Sequence, residues 1–268
     1  MRREGNPEFI EALARGLDVL RCFPPSVGAM TLSEMATAAG LARPTVRRIL
    51  ITLEQLGYVR SDERGFSLTP RVLELGMAYI GSMNLWELTE PHLKNLVEQT
   101  GESCSVAQLD GSDIVYTARV AVPKLVTLAV TVGTRFPALS TSLGKVLLAA
   151  LSREELTKIL AEPSRSGITP RWRPDREEID DALRTVRAKG WAVTDQGLAL
   201  GIRSVAAPVR DGEGQVVAAV NVNAHAAETS MEVLVDHHLP LLLTTASAIS
   251  ADWAAWQARP LDTLRGTV

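Results

Sequence analysis

The residues best suited to bind a charged partner are arginines that lie close together in one stretch of the chain. Arg43, Arg47 and Arg48 each carry a guanidinium group, which donates hydrogen bonds to phosphate oxygens and to the N7 and O6 atoms of guanine. Small and hydroxyl residues accompany them, and the whole set is Arg43, Pro44, Thr45, Arg47, Arg48 and Thr52. This composition favours recognition of nucleic acid over bond-making chemistry.

The elements that must position these residues form a predicted winged helix-turn-helix over residues 31–68. Thr31 and Glu34 have the spacing of a capping box, and Gly40 can end that first helix in a left-handed conformation. A second helix follows, with Pro44 tolerated in its first turn. Its apolar residues recur at helical spacing, so they face a core and leave the arginines outward. They are Leu41, Val46, Ile49, Leu50, Leu53 and Leu56.

A two-stranded wing is predicted over residues 58–68, because two short strand-like runs flank a polar turn. The wing carries Arg60 and Arg64, which can reach phosphate or the minor groove. Upstream, apolar residues at helical spacing predict a helix from about residue 8 to residue 23 that packs behind the other two. These residues are Ile10, Leu13, Leu17 and Leu20.

The charge distribution indicates a local basic patch. Residues 1–71 hold ten arginines, no lysine and eight carboxylates, whereas the remaining 197 residues hold 18 lysines and arginines against 23 carboxylates. The net charge of the chain, −3, argues against a general nucleic-acid coat protein. A patch this modest predicts that two copies act together on two half-sites. An alternative stays open, because a winged helix can also dock protein and exposed arginines can serve only solubility.

The composition sets the remaining bounds. A chain of 268 residues with 46% hydrophobic content can bury more than one core, so two domains are expected. Cys22 and Cys104 are too few for a disulfide framework or a zinc cluster, and we predict no metal and no cofactor. The N-terminus lacks an apolar signal core, and no apolar run approaches the ~18 residues of a membrane span. We therefore expect a cytoplasmic protein without membrane association.

A linker helix is predicted directly after the wing, with Thr69 as its N-cap and Pro70 in its first turn. Its apolar residues surround much of the circumference and are Val72, Leu73, Leu75, Met77 and Ile80. Such a helix favours packing against a second copy of the chain, although it could also fold onto its own second domain. The predicted division is residues 1–70, the winged domain; 71–84, the linker helix; 85–258, a second domain; and 259–268, a tail.

The second domain is predicted to be α+β, because hairpins and helices are mixed along it. Its predicted strands are residues 103–109, 114–120, 125–132, 202–209 and 215–223. Its predicted helices are residues 85–99, 142–151, 153–161 and 176–189, followed by a last helix after a box at residues 229–232. Pro240 is expected to kink that last helix.

The closing hairpin carries polar residues in an otherwise apolar pair of strands. If a four-residue turn pairs Arg210 with Gln215, then Ser204 lies opposite Asn221, and Asn223 falls on the same face. Buried amides and hydroxyls are costly unless a partner hydrogen-bonds to them, and a ligand would be such a partner. The alternative, that this face is solvated, is equally open. Residues 137–145 also enter a helix through hydroxyl residues, which suits either a carboxylate receptor or plain N-capping by Ser140 or Thr141.

The sequence contains no complete enzyme motif. Ser142 and Lys145 satisfy the pattern S-x-x-K, but the partner motifs of serine-lysine acylases are missing. Gly144 and Lys145 lack the other residues of a phosphate-binding loop. His237 and His238 are adjacent on a helix and point about 100° apart, a poor metal clamp.

Several of these segments resemble the IclR family of bacterial transcriptional regulators. They are residues 31–68, the linker beginning at Thr69, residues 133–145, 195–196 and 200–209. Within the family, residues 110–119 and 194–196 resemble the branch that controls protocatechuate and β-ketoadipate pathway genes. The resemblance implies a GAF-like effector domain and dimers, or dimers of dimers, on palindromic operators. The effector pocket it implies is lined by Ser142, Leu143, Thr194, Asp195, Ser204, Asn221 and Asn223.

The resulting hypothesis is a ligand-responsive DNA-binding regulator rather than an enzyme. A small aromatic or keto acid would bind in the C-terminal domain and bias the spacing of two DNA-reading heads. The alternative is a metabolite-binding interaction protein whose winged helix docks protein.

Overall fold

A computed structural model describes residues 8–24, 28–76, 85–123 and 130–258. The chain divides into two compact units, residues 1–83 and 84–268, and each is described by itself. No helix among the described residues combines the length and the apolar character that crossing a bilayer requires.

The N-terminal unit is the predicted winged helix-turn-helix. Its helices are α1 (Glu11–Arg21), α2 (Leu32–Ala39) and α3 (Arg43–Gln55), and its strands are β1 (Val59–Asp62) and β2 (Gly65–Leu68). Met35, Val46 and Leu50 form its fully buried centre. The predicted capping box begins α2, since the Glu34 amide donates to the Thr31 hydroxyl and the Glu34 carboxylate accepts from the Thr31 amide.

The wing requires a glycine at one position. Gly65 has a φ of +126°, and a Cβ there would collide with the carbonyl of Met30, whose backbone pairs with Phe66. After the wing, the Thr69 hydroxyl accepts a hydrogen bond from the Arg71 amide and so caps a 3₁₀ turn, Pro70–Val72. The linker residues Met77 and Ile80 lie outside the described residues.

Helix α1 differs from the prediction in the residues through which it packs. Ile10, Leu13 and Leu17 are 64%, 61% and 42% exposed, whereas Val19 is fully buried in the core of the unit. At 100° per residue, Val19 lies on the side of the helix opposite Ile10. Helix α1 therefore packs against α2 and α3 as predicted, but it does so through Val19 and Leu20, whereas the remaining residues of the predicted apolar stripe face outward.

The C-terminal unit is the predicted α+β domain. Its described residues form a six-stranded sheet in which every neighbouring pair is antiparallel, in the order β5-β4-β3-β8-β7-β6. The strands are β3 (Ser103–Asp110), β4 (Asp113–Val120), β5 (Arg135–Pro137), β6 (Ala192–Asp195), β7 (Ile202–Arg210) and β8 (Val216–His225). The helices are α4 (Leu85–Thr100), α5 (Ser142–Ala149), α6 (Arg153–Leu160), α7 (Arg176–Lys189) and α8 (Leu239–Gln257).

Helices cover both faces of this sheet. Leu143 and Leu147 of α5 pack in one cluster with Ala206 and Ala219 of the sheet. Val205 points to the other face by strand alternation and is also fully buried, and there α4 and α8 contact β3, β4 and β7. The short strands β5 and β6 were not predicted. Of the predicted strand 125–132, residues 125–129 lie outside the described part, and residues 130–132 are not in a strand.

The register of the closing hairpin corrects the prediction by two residues. Ser204 pairs with Asn223, Ala206 with Asn221, and Arg210 with Val216, with a register shift beside Arg210. The loop is longer than expected because the Asp211 carboxylate accepts hydrogen bonds from backbone amides within it. A shift of two preserves the face, so Ser204, Asn221 and Asn223 still share one side of the sheet.

The last helical segment also begins one residue later than predicted. Ser230 is its N-cap, while the Thr229 hydroxyl donates to the Glu102 carboxylate at 2.7 Å. The disturbance expected near Pro240 takes the form of a π-helical turn, Leu234–His238, directly before α8.

Candidate functional site

The outward side of α3 carries the predicted DNA-binding arginines. Arg43, Arg47 and Arg48 are exposed, and none forms an ion pair within the described part of the chain. Pro44 lies exposed in the first turn, and the Thr52 hydroxyl donates to the Arg48 carbonyl at 2.9 Å. The guanidinium groups are therefore available to a partner.

The structure separates these residues into two sides of α3. Thr45, Arg48 and Thr52 line a groove of about 740 Å³ between α1, α3 and Leu75. Arg43 and Arg47 are not part of that groove. Because residues on a helix advance by 100°, Arg47 lies about 100° from Arg48 around the axis.

The wing holds its two arginines differently. Arg60 lies opposite Ser67 in the strand pair, and its Nε donates to the Ser67 hydroxyl at 3.1 Å. Arg64 is at the tip, where its guanidinium lies 3.8 Å from the exposed Asp62 carboxylate. An exposed pair at this distance contributes little, so Arg64 can exchange Asp62 for another anion.

The C-terminal unit contains a small cavity of about 60 Å³ at one face of the sheet. Since one water needs ~10–15 Å³ by this measure, the cavity has room for several waters or one small molecule. Its lining residues are Glu102, Ser103, Tyr116, Arg119, Val130, Phe136, Ser140, Thr141, Thr194, Leu198, Ile202, Ser204, Asn221, Asn223, Ala224 and His225.

Two adjacent cross-strand rows of the sheet form the polar floor of this cavity. In one row Ser103 pairs with Asn223, Asn223 with Ser204, and Ser204 with Thr194. In the next row Ser105 lies between Arg119 and Asn221. The antiparallel register thus collects side chains from five strands in one place.

Four of the seven predicted effector residues line the cavity, namely Thr194, Ser204, Asn221 and Asn223. The other three do not. Ser142 is a buried residue at the start of α5, and its Oγ is 2.7 Å from the Oγ of the cavity residue Ser204. Leu143 is fully buried in the apolar core. Asp195 is exposed and accepts a hydrogen bond from Arg203 at 3.1 Å, outside the cavity.

Three buried polar atoms around the cavity have no hydrogen-bond partner among the described residues. They are Arg119 Nε, Thr194 Oγ1 and Asn221 Oδ1. Arg119 donates from its Nη1 to the Ser105 hydroxyl at 3.1 Å, but no described carboxylate pairs with it. Desolvation lowers the pKa of this guanidinium, which nevertheless stays charged because arginine is not deprotonated in proteins.

Tyr116 and Phe136 form the aromatic part of the wall. Their rings meet edge to face, with centroids 5.7 Å apart. Burial raises the pKa of the Tyr116 phenol to about 12, against a smaller opposing effect of a hydrogen bond with Asn223. The phenol is therefore neutral at physiological pH.

Sequence reasoning missed Arg119 because strand alternation alone puts it on the wrong face. Tyr116 pairs with Ala107 and Ala118 with Val106, so β4 carries an extra residue at this point. This β-bulge turns Arg119 to the side that Tyr116 already occupies. The signal in the sequence was an arginine within an apolar strand. Thr141, by contrast, serves as the N-cap of α5, since its hydroxyl accepts from the Gly144 amide at 2.9 Å.

A winged helix joined to a domain that encloses a polar, cationic cavity defines the class of ligand-binding transcriptional regulators. Two family models match the chain: the IclR helix-turn-helix domain over residues 12–63, and the bacterial transcriptional regulator IclR C-terminal domain over residues 77–251. The chain belongs to the IclR family of bacterial transcriptional regulators.

The relatives agree with this assignment. The Pca regulon regulatory protein of Pseudomonas putida is 40% identical over 243 residues, which cover 90% of this chain and 84% of the relative. A transcriptional regulator of Rhodococcus sp. RHA1 has a solved structure that is 46% identical, with a TM-score of 0.79 over 92% of this chain and all of that one. These relatives are named as regulators rather than enzymes.

A second solved structure shares the fold. It is an IclR homologue from Microbacterium hydrocarbonoxydans complexed with 4-hydroxybenzoate, and it is 24% identical with a TM-score of 0.78. The match covers 91% of this chain and 99% of that one.

Proposed function

We propose that the protein is a sequence-specific DNA-binding regulator whose operator binding, or activation, is modulated by a small carboxylic acid held in the C-terminal cavity. Residues 1–70 would read DNA, 71–84 would form a linker helix, 85–258 would bind the effector, and 259–268 would be a tail. The observation that carries the effector assignment is the Arg119 guanidinium.

A carboxylate is the natural partner of that guanidinium. Arg119 lines the cavity, its Nε–H has no partner among the described residues, and no described carboxylate pairs with it. Arg119 is part-buried and its Nε is fully buried, and desolvating a guanidinium in this way without a counter-ion is costly. An anion that enters the cavity recovers part of that cost. The relative complexed with 4-hydroxybenzoate supports the same chemical class.

The DNA assignment rests on the outward side of α3 and on the wing. We propose that Arg43, Arg47 and Arg48 contact the major groove and its flanking phosphates together with the neighbouring Pro44, Thr45 and Thr52. Arg60 and Arg64 would contact phosphate or the minor groove.

A second copy of the chain would supply the second reading head. An exposed apolar surface of the N-terminal unit, here called the α1 surface, consists of Ile10 at the N-cap of α1, Leu13 and Leu17 within α1, and Leu73 and Leu75. Apolar surface of this kind favours association, and a homodimer or dimer of dimers would match palindromic operators. The N-terminal unit is thus proposed to associate as well as to read DNA.

The decisive DNA experiment uses a duplex selected from a random library by the purified protein. Arg47→Ala should weaken binding, and it should lower the dependence of log K on log[salt] by about 0.9 if Arg47 neutralises one phosphate. Arg153→Ala, an exposed arginine of α6, serves as the matched control. If Arg47→Ala left the affinity for the duplex unchanged, and if that affinity did not depend on salt, the result would favour the alternative in which the winged helix docks protein.

The effector experiment uses Arg119→Gln, which removes the charge but keeps a donor. The response of operator binding to benzoate-type acids should be lost, while DNA binding in the absence of acid stays as in the wild type. A wild-type response in this variant would refute the assignment of Arg119 as the carboxylate anchor.

A further inference from the structure

We infer that the effector is a hydroxylated aromatic monocarboxylate rather than an aliphatic keto dicarboxylate, and that Asn221 selects its hydroxyl group. The inference rests on the proposed function, because it concerns the ligand of the same cavity. It rests on three features of that cavity, namely its charged side chains, its buried polar atoms without a hydrogen-bond partner among the described residues, and its aromatic wall.

The charges around the cavity favour one carboxylate over two. Arg119 supplies one guanidinium to the described part of the lining. The Nδ1 atom of His225, the other basic side chain of the lining, already accepts a hydrogen bond from the Ala227 amide. Among the described residues of the lining, Arg119 is therefore the one anchoring cation, and the second charge of a dicarboxylate would find no further cation among them.

The unmatched atoms favour a ligand that can donate a hydrogen bond. Asn221 is 2% exposed, and its Oδ1 is an acceptor that lacks a donor among the described residues. At neutral pH a keto dicarboxylate carries only acceptors, namely its ketone and its carboxylate oxygens, and would leave Oδ1 unpaired. A ring hydroxyl can donate to it, and the Thr194 hydroxyl can pair with a second substituent.

The apolar part of the lining fits an aromatic ring. Tyr116 and Phe136 meet edge to face, and Val130, Leu198 and Ile202 complete the apolar wall. Arg119 and Asn221 lie in one cross-strand row with a single strand between them. One ring with a carboxylate and a hydroxyl can thus engage both side chains, with its face against the apolar wall.

The test is calorimetry of the full chain with benzoate, 4-hydroxybenzoate, 3,4-dihydroxybenzoate, adipate and 3-oxoadipate. A hydroxybenzoate should bind roughly tenfold or more tightly than benzoate, as expected for one buried hydrogen bond. Both dicarboxylates should bind more weakly than that hydroxybenzoate. Asn221→Leu should bring the affinities for hydroxybenzoate and benzoate to about the same value, whereas Asn95→Leu, an exposed control on α4, should preserve the preference.

The outcomes separate this inference from the proposed function. If a dicarboxylate binds best and Arg119→Gln abolishes its binding, the inference is overturned and the proposed function stands. An unchanged preference in a folded Asn221→Leu variant overturns the role of Asn221. If the wild type binds none of these acids, both the inference and the proposed effector class fail.

Discussion

Gly144 is the position where a single added methyl group should disturb both stability and the effector cavity. It lies in α5, and a Cβ there would be 2.5 Å from the carbonyl carbon of Ala138, whereas ordinary contact begins at 3.4 Å. The turn that contains Ala138 must therefore move by about 1 Å to accept Gly144→Ala. That turn continues directly into Ser140 and Thr141, which line the cavity.

The expected net effect is a loss of about 1–2 kcal/mol in the free energy of unfolding. Overpacking of this kind costs ~1–3 kcal/mol. The better helix propensity of alanine returns up to ~1 kcal/mol. Urea unfolding followed by tryptophan fluorescence reports on the C-terminal unit that contains Gly144, because all five tryptophans lie at or beyond residue 86. The midpoint should fall by roughly 0.5–1 M, and effector affinity should fall with it.

The matched control is Gly212→Ala in the β7–β8 loop. A Cβ on Gly212 would meet nothing closer than 3.6 Å, the Cβ of Ala254. Its urea midpoint should stay within error of the wild type. A Gly144→Ala protein that keeps the wild-type midpoint and affinity would show that the turn moves freely, and the account of α5 packing would be refuted.

Three further predictions concern the core, the pH dependence and association. Asp113→Ala should lower the free energy of unfolding in urea by about 3 kcal/mol, because this buried carboxylate accepts hydrogen bonds from a serine hydroxyl and a backbone amide and lies 3.5 Å from an arginine. The control Asp110→Ala, at a half-exposed carboxylate, should lower it far less. Equal losses in the two variants would contradict this prediction. The pKa of Tyr116 is raised to about 12 in the folded protein, so as pH rises the Tyr116 phenol loses its proton in the unfolded chain before it does so in the folded chain. The free energy of unfolding should therefore fall between pH 10 and pH 12, and it should fall less steeply in the Tyr116→Phe variant. If the free energy of unfolding depended on pH in the same way in the wild type and in Tyr116→Phe, this prediction would be refuted. Leu17→Glu should lower the molar mass of the assembly measured by light scattering, because it places a charge in the α1 surface. Leu243→Glu, at a similarly exposed leucine, should leave that mass unchanged. An unchanged mass in both variants would exclude the α1 surface as the dimer contact.

Local signals in the sequence determined the ends of elements and the faces of strands. The box at Thr31 and Glu34 fixed the start of α2, and the helix over residues 176–189 was predicted with the bounds that the structure has. Alternation with period two placed Ser204 and Asn221 on one face, even though the predicted partner strand was shifted by two residues. These features depend on residues a few positions apart, and so a pattern can reveal them.

Tertiary structure alone decided which side chains meet. The bulge in β4 brought Arg119 into the cavity, and the pairing of β6 with β7 brought Thr194 there while it left Asp195 outside. The outward side of α1 likewise followed from the way Val19 fills the core of the winged unit. Each outcome depends on contacts between residues far apart in the chain, and the periodicity of a single segment specifies a face but not the partner that covers it.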